Sequence, residues 1–414
     1  MLSKPVRVAV LGAGGRGQGF GRILAELPHL AQVVAVAEPR DAYREAFAAA
    51  HHLPPGQVFR TWEEFLARPP PCDAVVIATM DQDHVKSAVA CLNQGLHLLL
   101  EKPMATSLQD CRAIEAAQRK AGTMTAVCHS MRYHKGFATL REVVASGRIG
   151  EIVSMDQIEQ VAFWHQAHSF VRGNWGNEGR STFMLLAKSC HDLDYMAFLI
   201  GRPCRRVTSF GALNYFNRAH VPAGATARCT DGCPVEATCP YSALKQYVYA
   251  EHLDHWPVDV VSPVHTREAH LEAIRTGPYG RCVYQCDNDV VDHQVVAMDF
   301  EGDITATFTM TAFTQRGGRQ IRVHGAEGEV SFDEHAITVR SFRTNDVETI
   351  AIGPEIGGHG GGDNRVVRDW LDAIRLQAPE KIRTSAQESL RTHTIVFAAE
   401  RSRQERRTIE IAEM

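Results

Sequence analysis

The chain has 414 residues, of which 44% are hydrophobic and 22% charged, with a formal net charge of -4. At roughly 150 residues per domain this length exceeds one ordinary core and implies two or three domains, two being expected. The composition excludes wholesale disorder, and the small negative charge excludes the basic stripe that nucleic-acid binding requires. No apolar run reaches the roughly 18 residues of a membrane span, and the opening residues carry no leader pattern, so no membrane partner and a cytoplasmic chain with reduced cysteines are expected.

Val6 to Leu11 is a short β-branched run that reads as a strand, and Gly12-Ala13-Gly14-Gly15-Arg16-Gly17 then opens a helical stretch toward Glu26. A second strand, Gln32 to Glu38, ends in an acid 21 residues after Gly17. A G-x-G-x-x-G run between a strand and a helix, followed by such an acid, points to a dinucleotide. Gly12 permits the tight turn, Gly14 lets the backbone approach a pyrophosphate, and Gly17 allows close helix packing. The helix start, with Gly15 and Arg16, presents free amides to the anion. Glu38 suits the adenosine ribose hydroxyls and repels a 2′-phosphate, which favours NAD over NADP, with Arg40 nearby opposing that choice.

Asp73 to Thr79 is apolar on both faces, as a strand of a covered parallel sheet requires. Thr79-Met80-Asp81-Gln82-Asp83-His84 follows, then a helix through Leu92 and a strand from Leu96 to Leu100. Glu101, Lys102 and Pro103 therefore lie just past the carboxyl end of a parallel strand, where open α/β sheets bind ligands.

The glycine fingerprint, the T-x-D-x-D-H run and E-K-P are joined by His129-Ser-Met-Arg132-Tyr133, by Ser146-Gly-Arg-Ile-Gly-Glu151 leading into a strand, and by His191-Asp-Leu-Asp194. Together they resemble the Gfo/Idh/MocA oxidoreductase family, over most of the chain outside residues 211–293. The resemblance implies an α/β fold: a Rossmann domain over 1–126, then an α+β substrate and oligomerisation domain over 127–414 with a large, mostly antiparallel open sheet. It implies Lys102 facing both nicotinamide and substrate, Thr79, His84 and Glu101 beside the cofactor, and Arg132, Tyr133 and Asp192 on the substrate side.

The chemistry is coherent from first principles. Moving a hydride from a C–OH carbon requires the hydroxyl proton to leave, so a cation must stabilise the developing alkoxide and a base must take the proton. Lys102 supplies the charge and His191 titrates in a suitable range. Glu101 is expected to orient the lysine and Pro103 to fix its backbone. In the family an aspartate precedes the histidine by four positions; here that position is Ala187, followed by Lys188. Either Lys188 adds a second cation, or Asp192 or Asp194 orients the imidazole, or the reaction departs from simple dehydrogenation.

Residues 211–293 form an insertion holding five of the eleven cysteines: Cys229, Cys233, Cys239, Cys282 and Cys286. Thiolates at such spacing on turn-rich chain can close a metal site, with Cys229, Cys233, Cys239 and Cys286 as ligands and Cys282 as the alternate; structural zinc and an iron–sulfur cluster are both open, as are free thiols without metal. Ala162-Phe163-Trp164-His165-Gln166-Ala167-His168, with Arg172 and Trp175, gathers aromatic and polar groups suited to a sugar, Trp164 and His165 foremost. Gly357 to Gly362 reads as a mobile loop, with Asp363 capping a helix from Asn364 to Leu376. Strands are expected over 303–314, 320–324, 329–332, 336–340 and 408–411, and a helix over 389–403. One open sheet face motivates a homo-oligomer, a dimer or tetramer.

The leading expectation is an NAD-dependent oxidoreductase acting on a hydroxyl carbon of a carbohydrate or cyclitol. The alternatives are an NAD-dependent glycoside hydrolase that oxidises its substrate transiently, and a non-catalytic NAD-binding interaction protein.

Overall fold

A computed structural model describes residues 4–354 and 357–414; the first three residues of the expected N-terminal domain lie outside it. Six strands form the first sheet: β1 (Val6–Leu11), β2 (Ala31–Ala37), β3 (Val58–Phe59), β4 (Ala74–Ile77), β5 (His97–Leu100) and β6 (Thr125–Val127). Their order is 3-2-1-4-5-6 and every pairing is parallel. Period-two alternation builds the two faces. Val8, Val10, Val76 and Leu99 pack with Phe20 and Leu24, whereas Ala9, Leu11, Val75, Ile77 and Leu100 pack with Phe65, Leu92 and Ile114.

The second sheet has nine strands: β7 (Ile152–Gln160), β8 (Cys204–Ala212), β9 (His293–Phe300), β10 (Ile304–Thr311), β11 (Gly318–Gly325), β12 (Gly328–Phe332), β13 (Ala336–Ser341), β14 (Val347–Ala351) and β15 (Ile409–Glu410). Their order is 14-13-12-11-7-10-9-8-15, antiparallel except for β7 beside β10. One face is buried against the Met184–Ile200 and Ala386–Glu405 helices through Leu193, Met196, Ile395, Phe308 and Val323. The other carries exposed Phe210 and Val295, which are cross-strand partners.

Two expectations need correction. A division at residue 126 cuts β6 in two, and it misses that the Gly362–Leu376 helix returns from the second half to cover the first sheet, with Val366, Val367, Trp370 and Leu371 sharing a core with Val8 and Val10. Asp363 does not cap that helix. Gly361, at φ +77°, precedes it with no side-chain cap, and Asp363 lies inside the first turn, its carboxylate bonded elsewhere.

The insertion adds no strand to either sheet beyond the ends of β8 and β9. It packs instead as two small clusters, one of Phe216, Tyr241, Val283 and Tyr284, the other of Tyr247, Val248 and Ile274 under the Arg267–Thr276 helix.

Candidate active site

The glycine turn after β1 is sterically required at two positions. Gly12 stands at φ +87°, and a Cβ there would lie 2.4 Å from the Ala78 carbonyl oxygen; one on Gly17 would lie 1.8 Å from the Gly12 oxygen. A Cβ on Gly15 would meet nothing, so its position depends on its amide alone. Gly14 precedes the Gly15–Ala25 helix without a side-chain cap, leaving the first amides to a ligand. Thr79 Oγ1, just past β4, is buried with no hydrogen-bond partner. A close-approach turn, an uncapped helix start and an orphaned hydroxyl at the carboxyl edge of a parallel sheet fit a dinucleotide.

Glu38 ends β2 as expected, but its carboxylate is fully engaged. It accepts from the Ala13 amide at 2.8 Å, from the Arg40 amide at 3.0 Å and from the Arg40 guanidinium at 2.7 and 3.0 Å. Against burial, which works in the opposite direction, these bonds hold Glu38 below the usual carboxylate range.

Arg16 reaches across to Glu101 and donates to Asp363 at 2.6 Å, tying the glycine turn to the returning helix. Asp363 also accepts from Ser130 Oγ, and despite its burial the His359 and Arg16 bonds hold it well below the ordinary range.

The loop after β5 is pinned on both flanks. Glu101 accepts the Lys102 amide at 2.8 Å, so it orients the lysine through its backbone and not through the ammonium. The Pro103 carbonyl lies 2.8 Å from His84 Nδ1, and the Met104 amide donates to His393 Nε2 at 3.0 Å. His84 is 0% exposed, so burial keeps it from any cofactor surface, and it supports the loop instead. So held, Lys102 extends its ammonium 2.8 Å from the Ala187 carbonyl oxygen.

Ala187 lies one turn before His191 on the Met184–Ile200 helix, so its backbone oxygen receives the lysine at the position where an acid was expected. Lys188 pairs with Glu159, and Arg319 joins Glu159 at 3.0 Å, Asp192 at 2.6 Å and His191 Nε2 at 3.0 Å. Glu159 and Arg319 are cross-strand partners on β7 and β11. Gln157 donates to Asp192 at 2.7 Å.

Burial first, then Arg319, Lys102, Lys188 and His359, push His191 well below its usual range, so it is neutral. A guanidinium only donates, so Nε2 carries the lone pair. Burial raises the Asp192 carboxyl, against the Arg319 guanidinium.

His165 stacks on Trp164 with ring centroids 5.6 Å apart. Burial, then the Lys188 charge, pushes His165 down to about 2, which puts this stretch beside the lysines. Trp256 from the insertion packs edge-on against both rings, at 5.7 and 4.9 Å.

Other expected positions lie elsewhere. Arg132 is 1% exposed and makes a two-pronged bond to Asp194 at 2.7 and 2.8 Å. Tyr133 is likewise buried and meets Thr384. Neither faces a substrate: Arg132 joins Asp194 of the Met184–Ile200 helix to the Arg383 oxygen, Tyr133 is held at Thr384 and Arg383, and Asp194 is occupied with Arg132 and Thr392 and not with His191. Arg172 lies under the insertion, and Trp175 donates to Asp81 at 3.1 Å.

Sequence reading missed Glu159, Arg319, Gln157, His359 and Trp256. A signal existed for three of them. Gln157 and Glu159 follow Met155 on the inward phase of β7, and Arg319 precedes Ile321 and Val323 on that of β11. Polar groups at core positions of a strand mark a site. His359, on the glycine loop expected to be mobile, sits with its ring 6.2 Å from that of His191.

A 3-2-1-4-5-6 sheet with this turn, joined to a lysine, histidine and carboxylate cluster at its carboxyl edge, defines the class of dinucleotide-dependent oxidoreductases. The chain belongs to the Gfo/Idh/MocA oxidoreductase family, matching its NAD-binding Rossmann fold over residues 6–129 and its C-terminal alpha/beta domain over 141–411. It is 28% identical over 203 residues to inositol 2-dehydrogenase 2 of Saccharopolyspora erythraea, covering 48% of this chain and 54% of that one. It is 34% identical over 155 residues to inositol 2-dehydrogenase of Corynebacterium glutamicum (strain R), covering 37% and 45%. The chain thus spans about half the length of these curated relatives. Levoglucosan dehydrogenase in complex with NADH shares the fold at a TM-score of 0.72 and 16% identity, over 99% of both chains. So does an oxidoreductase of Agrobacterium radiobacter in complex with NAD+, L-tartaric acid and magnesium, at 0.73 and 14%, over 99% of this chain and 100% of that one.

Proposed function

We propose that this chain is an NAD-dependent dehydrogenase moving a hydride between nicotinamide and a hydroxyl carbon of a sugar, sugar derivative or cyclitol. The observation that carries the reading is the Lys102 ammonium, held 2.8 Å from the Ala187 oxygen, one helical turn from a neutral, buried His191. The names of the inositol and levoglucosan dehydrogenases support a polyhydroxylated substrate.

Gly12, Gly14, the Gly15 amide and Thr79 hold the cofactor, and Glu38 favours NAD over its 2′-phosphorylated form. NAD, when bound, supplies the hydride acceptor. Lys102 stabilises negative charge on the substrate oxygen. His191 Nε2 accepts the hydroxyl proton, and Arg319 then rests on Asp192 and Glu159, to which it is already bonded. Lys188, paired with Glu159, keeps that acid from competing for the ammonium of Lys102. Trp164, His165 and Trp256 offer an apolar wall to the sugar face.

The open face of the nine-stranded sheet accepts a second copy of the chain. Eleven free thiols suit a reducing, cytoplasmic setting, and among the described residues no helix is long and apolar enough to cross a membrane. The thiols of the insertion hold a metal that fixes this segment over the aromatic wall.

The test is a panel of sugars, cyclitols and aryl glycosides incubated with NAD. Net NADH from a free polyol is expected. Aglycone release with no net NADH would overturn the dehydrogenase reading in favour of the redox-cycling hydrolase.

A further inference from the structure

The insertion draws thiols from two distant segments to one point. Arg228 and Arg281 form an antiparallel bridge, extended by the Cys229 amide donating to the Gly280 oxygen at 3.0 Å and the Cys282 amide to the Ala227 oxygen at 2.9 Å. Cys229 and Cys282 flank this short ladder. With Cys233 and Cys239 they line one small internal cavity beneath Tyr241 and Tyr284. Cys286, expected as the fourth member, is outside that lining, its thiol turned to the Cys282 oxygen at 3.3 Å.

A second observation concerns charge. Arg172 is 1% exposed; its guanidinium donates to the Arg281 and Tyr241 oxygens at 2.8 and 2.6 Å and lies 3.8 Å from Cys229 Sγ. Among the described residues no carboxylate pairs with it. A permanently charged group buried without a paired carboxylate is costly, and thiolates beside it supply a counter-charge in addition to the Tyr247 phenol. A backbone donor also faces one of the sulfurs: the Ala243 amide lies 3.4 Å from Cys229 Sγ.

We propose that this cavity holds an iron–sulfur cluster ligated by Cys229, Cys233, Cys239 and Cys282, which rests on the metal reading of the insertion given above. Spacing decides between the two metal chemistries. A zinc ion with Zn–S near 2.3 Å in a tetrahedron requires its sulfurs about 3.8 Å apart. Among the described residues no three cysteine sulfurs lie within 4.8 Å of one another. A cluster binds each thiolate at a separate iron, so its ligands ring a wider space, and Cys239-Pro240 repeats the cysteine-proline step of ferredoxin runs. The cluster is structural. It anchors the stretch whose Gln246 donates to the Trp164 oxygen at 2.9 Å, and so sets the aromatic wall.

The full chain purified without oxygen is assayed for iron, acid-labile sulfide and zinc, and its visible absorption recorded. About four iron and four sulfide per chain, with broad visible absorption, are expected. Cys239→Ser and Cys282→Ser should each abolish that absorption, and Cys72→Ser, remote from the insertion, should keep it. One zinc per chain without sulfide overturns the cluster and leaves the metal reading standing. Absence of any metal in the wild-type chain overturns both.

Discussion

Lys102 illustrates how a single reactive side chain is made by its neighbours. Its ammonium position follows from bonds at Glu101, His84 and His393, none of which contacts it directly. Lys102→Ala should therefore lower kcat/KM by about 10² to 10³ through loss of charge stabilisation, with NAD affinity and thermal midpoint little changed, as steady-state kinetics and cofactor titration would show. Lys102 was legible because an acid, a base and a proline stand where a parallel strand must end. Arg132 and Tyr133 misled because adjacency in a motif says nothing of which way a side chain turns, and a bidentate partner 62 residues away claimed the arginine. Arg40 is the second residue-scale test. Its guanidinium neutralises Glu38, weakening the repulsion of a 2′-phosphate. Arg40→Ala should widen the preference for NAD over NADP by about tenfold or more, read from the ratio of the two kcat/KM values, given roughly 1.4 kcal/mol for each such factor.

At the scale of elements, runs apolar on both faces made β1, β2, β4 and β5 readable, since such runs specify a strand covered twice, whereas the two- and three-residue β3 and β6 are too short to show it. β11 and β12 were placed within two residues by period-two alternation, the mark of a strand buried on one face. The Gly362–Leu376 helix was recognised, but its partner was not. Its apolar stripe records that it is buried, without recording against what, and only the tertiary path returns it to the first sheet. Trp370 is the centre of that contact, fully buried and donating to the Met124 oxygen at 3.3 Å. Trp370→Ala should cost about 3–5 kcal/mol in urea unfolding, the range for removing a buried large aromatic. The same helix carries Asp363 to Arg16 and the loop bearing His359 toward His191, so that variant should also weaken NAD binding, although Trp370 touches no part of the site.

For the whole molecule, buried histidines couple stability to acidity. His129, His168, His191 and His393 lie on four different segments, each nearly or fully buried. Burial lowers all four, reinforced by Arg319, Lys102, Lys188 and His359 around His191, by Arg172 beside His168 and by His129 beside His393, while Asp194 opposes at His129 and His393. His168 and His393 are both pushed to about 3. In the unfolded chain these imidazoles take a proton near pH 6.5. The unfolded state therefore binds more protons than the native state below that pH, and stability falls as pH drops. It is fully present above about pH 6.5, and each such histidine removes up to about 1.4 kcal/mol per pH unit below it until its folded-state value is reached. The carboxylates held low, Asp363 among them, add nothing until about pH 4, where unfolded carboxylates begin to protonate. The midpoint of thermal unfolding should then be flat from pH 8 to 7 and fall between pH 6.5 and 5, with the raised Asp192 carboxyl offsetting part of the fall as it takes its proton in the folded chain. A midpoint that held level down to pH 5 would mean that these imidazoles titrate in the folded chain much as they do in the unfolded one, and that burial does not hold His191 neutral.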